Sequence, residues 1–215
     1  RMIEQGHQVF CLDSLFTGSL KNIEHLKKHS DFKFIKHDVV DPINIDKLDE
    51  IYNLACPASP VHYQYNPIHT MKTSVIGSLN VLELARATGA KVFQASTSEV
   101  YGDPTVHPQP EEYWGNVNTI GIRSCYDEGK RWAESICATY AQQYGVEAKI
   151  ARIFRTYGPR MALYDGQLIP DFITNALEGK PLEVYGDETF RSSLVYVADV
   201  VDGLIKLMQA PKDIG

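Results

Sequence analysis

Lys91-Val92-Phe93-Gln94-Ala95, followed directly by Ser96-Thr97-Ser98-Glu99-Val100-Tyr101-Gly102, is the stretch on which the fold turns. Its first five residues read as a buried strand, and the hydroxyl-rich turn begins just past the strand's C-terminal end. In open α/β sheets, ligands bind at that edge. Downstream, Tyr126-Asp127-Glu128-Gly129-Lys130 on a predicted helix sets a phenol and an ammonium on one face. An unperturbed tyrosine, with a pKa near ~10, is a poor base at neutral pH. A neighbouring cation stabilises the phenolate and moves that value toward the working range. The hydroxyls of the turn supply a proton partner and a hold on a substrate oxygen. Together these groups suit removal of a proton from an alcohol while hydride leaves its carbon. The bare Tyr-Lys pair fits a half-buried Tyr beside a solvated Lys equally well; the strand-end context favours chemistry.

Working outward, strand-like runs at 8–12, 32–36, 50–55, 91–95 and 146–154 alternate with helix-like runs at 20–29, 67–88, 126–143, 167–178 and 199–208. Short strands are expected near 182–185 and 193–197. Such alternation is the mark of a parallel α/β sheet wound on both faces. Within 67–88, Val75, Leu79, Leu82 and Ala85 recur at helical spacing and define a core face. The polar segment 102–122 is a long loop, and loops of that length inside a compact domain are more often functional than not. Residues 156–160, Thr-Tyr-Gly-Pro-Arg, read as another strand-end loop.

The chain has 215 residues, 44% hydrophobic and 22% charged, with a formal net charge of −6. That balance, without a basic run, argues against nucleic acid as a partner. No apolar stretch approaches the ~20 residues of a membrane span and no signal peptide is visible, so a cytoplasmic protein is expected. Cys11, Cys56, Cys125 and Cys137 lack Cys-x-x-Cys spacing and fit a reducing compartment. Cys125 precedes Tyr126, but adjacent helix residues face different ways, and it reads as filler. His25 and His29 have the spacing of metal ligands, yet lie in a Lys-rich run that reads as a solvated helix face; no metal is expected.

Asp13, closing the strand at 8–12, suits an acceptor for the ribose hydroxyls of a dinucleotide, and its charge would repel a 2′-phosphate. A surface Asp opening a turn is the plain alternative. Asp38-Val39, at the next strand end, is placed to face an adenine. No Gly-x-x-Gly-x-x-Gly or Gly-x-Gly-x-x-Gly occurs, and Arg1-Met2-Ile3-Glu4-Gln5-Gly6-His7 reads as the end of a helix. A dinucleotide fold begins with a strand, a glycine loop and a helix. The expectation is therefore a Rossmann-like, doubly wound parallel sheet whose first strand and glycine loop are missing. A cofactor domain at 1–155 and a small substrate-binding lobe with interleaved sheet elements at 156–215 are expected.

With these pieces in place, the chain resembles the extended short-chain dehydrogenase/reductase family, and within it the UDP-glucuronate decarboxylase branch. The resemblance runs through Cys11-Leu12-Asp13, Phe16-Thr17-Gly18, Ala55-Cys56-Pro57-Ala58-Ser59-Pro60, the 96–104 turn, Tyr113-Trp114-Gly115-Asn116-Val117-Asn118, Arg123-Ser124-Cys125-Tyr126-Asp127-Glu128-Gly129-Lys130-Arg131 and Tyr157-Gly158-Pro159-Arg160-Met161. It implies tightly held NAD, oxidation of the sugar at C4, loss of carbon dioxide from the β-keto acid, then protonation and reduction. It implies Tyr126 as base at the 4-OH, Lys130 holding its pKa down and binding the nicotinamide ribose, and Thr97 on the 4-oxygen. Glu99 would act beside the carboxylate or at C5, with Ser98 positioning the ring. Asp13, Thr17, Gly18, Asp38, Val39, Leu54, Thr73 and Thr156 map onto NAD contacts.

Lys72, Asn80 and Tyr140 match positions associated with substrate; for Asn80 and Tyr140, helix packing is the alternative. Two positions depart from the family pattern: Arg155 stands where most members have Asn, and Phe190-Arg191-Ser192 carries its Arg one place early. Arg155 suits a diphosphate or carboxylate, and Arg191 is its substrate-side companion. Related dTDP-glucose 4,6-dehydratases carry Thr-Asp-Glu at the turn, the Asp donating a proton to the departing hydroxyl. Here the turn is Thr97-Ser98-Glu99, and a serine hydroxyl is too weak an acid for that step. In 4-epimerases the Glu position is usually small or uncharged. A non-catalytic nucleotide-sugar binder is the reading from another class. A homodimer is implied too, with Trp132, Ile136 and Tyr140 as an apolar stripe that faces either a partner or the sheet.

Overall fold

The protein was described as a computed structural model, and residues 1–184 and 192–211 are described below. In chain order the strands and helices are β1 (Val9–Asp13), β2 (Phe32–Lys36), β3 (Glu50–Asn53), α1 (Pro60–Tyr65), α2 (Pro67–Lys72), α3 (Ser78–Thr88), β4 (Lys91–Thr97), α4 (Ser124–Tyr144), β5 (Ala148–Ile153), β6 (Arg155–Tyr157), α5 (Leu168–Leu177), β7 (Leu194–Tyr196) and α6 (Val197–Gln209). Arg191 and part of the strand expected at 182–185 lie outside the described residues.

β4 is the centre. It pairs in parallel with β3 (Glu50↔Lys91 to Asn53↔Gln94) and with β5 (Val92↔Ala148 to Thr97↔Ile153). Its residues are buried on both faces, as a strand covered by helices on either side must be. Val92 joins Val81, Leu82 and Ala85 of α3 and Cys137 and Tyr140 of α4 on one face. Phe93 and Ala95 meet Met208 and Leu204 of α6 on the other, the period of two that a strand imposes. Gln94, polar and buried, is satisfied by Asn53 Nδ2 at 2.8 Å and the Ser78 hydroxyl at 3.4 Å. The sheet is thus parallel and wound on both faces.

β1 and β2 form a separate parallel pair (Val9↔Phe32 to Asp13↔Lys36), as do β6 and β7. Between β1 and β3 lies a cavity of about 1160 Å³, lined by both strands, by Val81 and Leu84 of α3 and by Val201, Leu204 and Ile205 of α6. No described strand bridges the two.

Several local expectations are corrected. The strand read as 91–95 runs on through Ser96 and Thr97, because the ladder to β5 continues. Residues 20–26 form a 3-10 turn capped by Ser19 rather than a helix through 29; the segment buries no residue that would hold a longer helix. The helix read as 67–88 is broken by a wide π-type turn, Thr73–Gly77. Gly77 lies so near Val39 that a Cβ there would come within 2.7 Å of its methyl. Residues 155–157, read as loop, form β6. Of the apolar stripe on α4, Tyr140 and Ile136 pack into the core, so there it faces the protein interior.

The 102–122 loop is fastened to the Ser98–Tyr101 turn. Asn116 N–H donates to Tyr101 O at 2.8 Å, and Arg131 donates to both Val100 O and Trp114 O at 2.8 Å. Gly102 (φ +65°) abuts this seam, where a Cβ would stand 2.0 Å from Asn116 O. Gly102→Ala is therefore expected to cost about 2–3 kcal/mol, lowering Tm by roughly 5–10 °C. Gly89→Ala, also at positive φ (+77°) but with nothing within 4 Å, is expected to cost about 1 kcal/mol. Equal losses in thermal melts of the two variants would show that the seam is not tight.

Candidate active site

α4 begins at Ser124, and its first turns carry Tyr126 and Lys130 on the face turned to β4. Both are buried. The Lys130 ammonium donates to Ala95 O at 2.9 Å and lies 5.8 Å from the centroid of the Tyr126 ring. Thr97 ends β4, its hydroxyl accepting from Glu99 N–H at 3.3 Å, so that Ser98–Tyr101 turns as a short 3-10 segment. Tyr126 and Thr97 come together, and the Thr97 side chain favours the phenolate. The expected lowering of the phenol by Lys130 does not dominate here. Burial pushes the Tyr126 phenol up, reinforced by Cys56, Glu99 and Asp127, while the ammonium is engaged by a backbone carbonyl.

Four residues at this site escaped the sequence reading. Tyr63 of α1 stacks on Tyr126, with centroids 5.1 Å apart and an interplanar angle of 12°. Arg123, three residues before Tyr126, forms an ion pair with Glu99, and its Nε lies 3.9 Å from Asp127 Oδ2. Cys56 packs against the Tyr63–Tyr126 cluster and also lines the large cavity, joining the two. Buried Asp127 Oδ1 and Tyr63 Oη have no hydrogen-bond partner among the described residues. Spacing could have pointed to Arg123 and Asp127, since both lie within a turn of Tyr126. No sequence signal links Tyr63 to a helix that begins sixty residues later. Cys125 is buried filler, its thiol directed to Tyr63 O at 3.6 Å and pushed up by burial.

The cavity gathers Asp13, Thr17, Asp38, Val39, Leu54 and Thr73 along its wall. Asp13 closes β1 and accepts from Leu15 N–H at 2.6 Å; a Cβ on Gly18 would come within 2.9 Å of its carboxylate. Asp38 lies just past β2, accepting from Val40 N–H at 3.1 Å and 3.4 Å from His69 Nε2. Two carboxylates at neighbouring strand ends, beside apolar Val39 and Leu54, fit the ribose hydroxyls and base of a dinucleotide. Thr73 donates its hydroxyl to His69 O at 2.9 Å, and Thr156 donates to Phe154 O at 3.2 Å.

The substrate-side candidates are more scattered. Lys72 is exposed at the end of α2, and Arg155 is exposed at the start of β6. Asn80 donates to Val39 O at 2.8 Å and Asp41 O at 3.1 Å, tying down the loop after β2. Tyr140 donates to Glu83 at 2.5 Å, about 21 Å along α4 from Tyr126. For both, helix packing has a concrete form. No cluster of His, Cys, Asp and Glu that could hold a metal occurs among the described residues, nor any helix long and apolar enough to cross a membrane.

A parallel sheet wound on both faces, with a Tyr-Lys helix against a hydroxyl at the end of a central strand, defines a nucleotide-dependent dehydrogenase-type fold. Comparison with known proteins agrees: residues 1–215 match the NAD dependent epimerase/dehydratase family, to which this chain belongs. It is 53% identical over 210 residues to UDP-glucuronic acid decarboxylase 1 of Xenopus tropicalis, covering 98% of this chain and 50% of that protein. To UDP-glucuronic acid decarboxylase 3 of Arabidopsis thaliana it is 54% identical over 208 residues, covering 97% and 60%. The chain thus spans about half to three-fifths of these curated relatives. Among solved structures, UDP-N-acetylglucosamine 4-epimerase from Methanobrevibacter ruminantium superposes with a TM-score of 0.82 at 25% identity, covering 94% of this chain and 66% of that one. The dTDP-glucose 4,6-dehydratase DesIV (a double mutant) of Streptomyces venezuelae, with NAD bound, gives 0.81 at 25% identity, covering 94% and 63%.

Asp127 makes the site sensitive to pH. Burial pushes its carboxyl from 3.8 up to about 6, Arg123 pulls it down, and Glu99 and Glu128 push it further up. A carboxyl raised on folding binds its proton more tightly in the native state. Its contribution is therefore greatest below the unfolded value and is lost as pH rises from about 4 to 6, by at most ~1.4 kcal/mol per unit. Asp127→Asn should remove that dependence, so its stability relative to wild type should rise between pH 4.5 and 6.5. Parallel Tm–pH curves for the two proteins would contradict this.

Proposed function

We propose that this chain carries the cofactor-binding and catalytic part of an NAD-dependent UDP-glucuronate decarboxylase that forms UDP-xylose. The observation that carries the reading is the Thr97-Ser98-Glu99 turn beside Tyr126 and Lys130, in a chain more than half identical to decarboxylases over nearly its whole length.

NAD, when bound, accepts hydride from C4 of the sugar and returns it to the same carbon. Asp13 and Asp38 would hold its adenosine half, and Lys130 its nicotinamide ribose. Thr97 would hydrogen-bond the 4-oxygen and bring the 4-OH to Tyr126. Tyr126 would remove that proton, a transfer that its raised phenol allows only when positive charge beside the ring, with Lys130, favours the phenolate. The resulting 4-keto group is the electron sink for loss of carbon dioxide, so no acid is needed for a leaving hydroxyl. Glu99, steadied by Arg123, serves the reprotonation at C5, and Tyr126 gives its proton back to the 4-oxygen as hydride returns.

Ser98 is the feature that weighs against a dehydratase, which needs an acid at that place. The reading includes a cytoplasmic homodimer, for which exposed Ile68, Met71 and Ile76 offer apolar surface. It also includes a substrate lobe beginning near residue 156, with Arg155 and Arg191 toward the diphosphate.

Protein carrying this chain, given UDP-glucuronate, is expected to release carbon dioxide and yield a UDP-pentose without net consumption of NAD. Given dTDP-glucose, it is expected to yield no 4-keto-6-deoxy sugar. The opposite pattern by mass analysis would reject the assignment. Tyr126→Phe should lower kcat by ~10²–10⁴ while nucleotide-sugar affinity changes little, because the ring still stacks on Tyr63. Turnover near the wild-type rate in that variant would remove Tyr126 from the mechanism.

A further inference from the structure

We propose that the Glu134–Arg152 ion pair is the positioning device for the Thr97-Ser98-Glu99 turn; its catalytic consequence rests on the functional reading above. Glu134 follows Tyr126 and Lys130 at successive four-residue steps on α4, so all three share the face turned to β4. Arg152 lies on β5 directly across from Ser96, its ladder partner on β4. Both side chains reach Glu134. Arg152 Nε and Nη2 donate to its two oxygens at 2.9 and 2.8 Å, and the Ser96 hydroxyl donates to Oε1 at 2.5 Å. The remaining arm, Arg152 Nη1, donates to Tyr101 Oη at 3.0 Å and to Glu111 O at 2.8 Å.

Ser96 stands immediately before Thr97, and Tyr101 ends the 3-10 segment that carries Ser98 and Glu99. One ion pair therefore grips both feet of the turn, and through Glu111 it holds the 102–122 loop to the same point. A bidentate guanidinium–carboxylate pair is the stiffest polar joint that side chains form. Arginine serves here because four acceptors lie around one plane, an arrangement that a lysine ammonium cannot reproduce. Neither residue is placed to touch substrate; both act through Ser96 and Tyr101. The turn's side chains must be placed to a fraction of an ångström for hydride and proton to leave together, and a shift of about 1 Å costs on the order of 10²-fold in rate.

The test removes single tethers and leaves the ion pair in place. Ser96→Ala and Tyr101→Phe each delete one hydroxyl. In each, amide hydrogen exchange across 97–101 should quicken at least ~10-fold, while exchange across 168–177 and the global Tm stay close to wild type. With UDP-glucuronate, kcat should fall about 10-fold or more with KM within about twofold. Arg152→Lys, which keeps the charge and loses the fork, should behave like the tether variants rather than like wild type. Unchanged exchange at 97–101 in both hydroxyl variants would overturn the proposal, as would wild-type kcat in both. Faster exchange in the variants of a protein that releases no carbon dioxide from UDP-glucuronate would reject the decarboxylase reading and uphold the positioning role.

Discussion

The Lys130 ammonium, buried between α4 and β4 and bonded to Ala95 O at 2.9 Å, sets the geometry on which the site depends. An ammonium removed from water is costly unless a strong acceptor meets it. Here the acceptor belongs to the backbone of the central strand, whose place is fixed by ladders on both sides. The bond locks the axial position of α4 against β4. With Lys130 at Ala95, Tyr126 falls at Thr97 one turn toward the helix start, and Glu134 falls at Ser96 one turn beyond. Sliding the helix by one residue would carry all three contacts away together.

The electrostatics of the pocket follow from burial more than from formal charge. Two carboxylates, Glu99 and Asp127, and the Arg123 guanidinium lie near Tyr126, and burial pushes both the phenol and Asp127 toward their neutral forms. A phenol in that setting resists losing its proton. Positive charge beside the ring would shift that balance toward the phenolate. This differs from a fixed Tyr-Lys couple, which the spacing alone had implied.

How much could be read beforehand divides along physical lines. Strands with apolar runs closed by Asp or Pro were legible; β2 has the expected limits, because its apolar residues Phe32, Phe34 and Ile35 lie between Asp31 and the polar Lys36-His37-Asp38. The Tyr126–Lys130 relation was legible as well, since helical spacing is local. What escaped was set by distant chain. β4 gained Ser96 and Thr97 from its pairing with β5, and β6 exists only through its ladder to β7. Arg123 and Asp127 lay in the quoted motif, but their roles depend on where Glu99 and Tyr63 arrive from elsewhere. The fold class was written in patterning, whereas the electrostatic surroundings of Tyr126 were written in tertiary contacts.

The wide turn at Thr73–Gly77 carries a further consequence for the helix run around it. A turn of that kind holds one residue more than an α-helical turn, and each α-helical residue advances the helix by about 100°. His69 of α2 and Thr73 of the turn line the large cavity, while α3 sets Leu82 and Ala85 into the core and carries Val81 and Leu84 to the cavity's edge. The extra residue acts as a phase shifter between α2 and α3. A single deletion there would put the two back in step and leave only one of them correctly aimed. In length variation this five-residue segment is thus as constrained as a catalytic position, although none of its residues need touch a reacting atom.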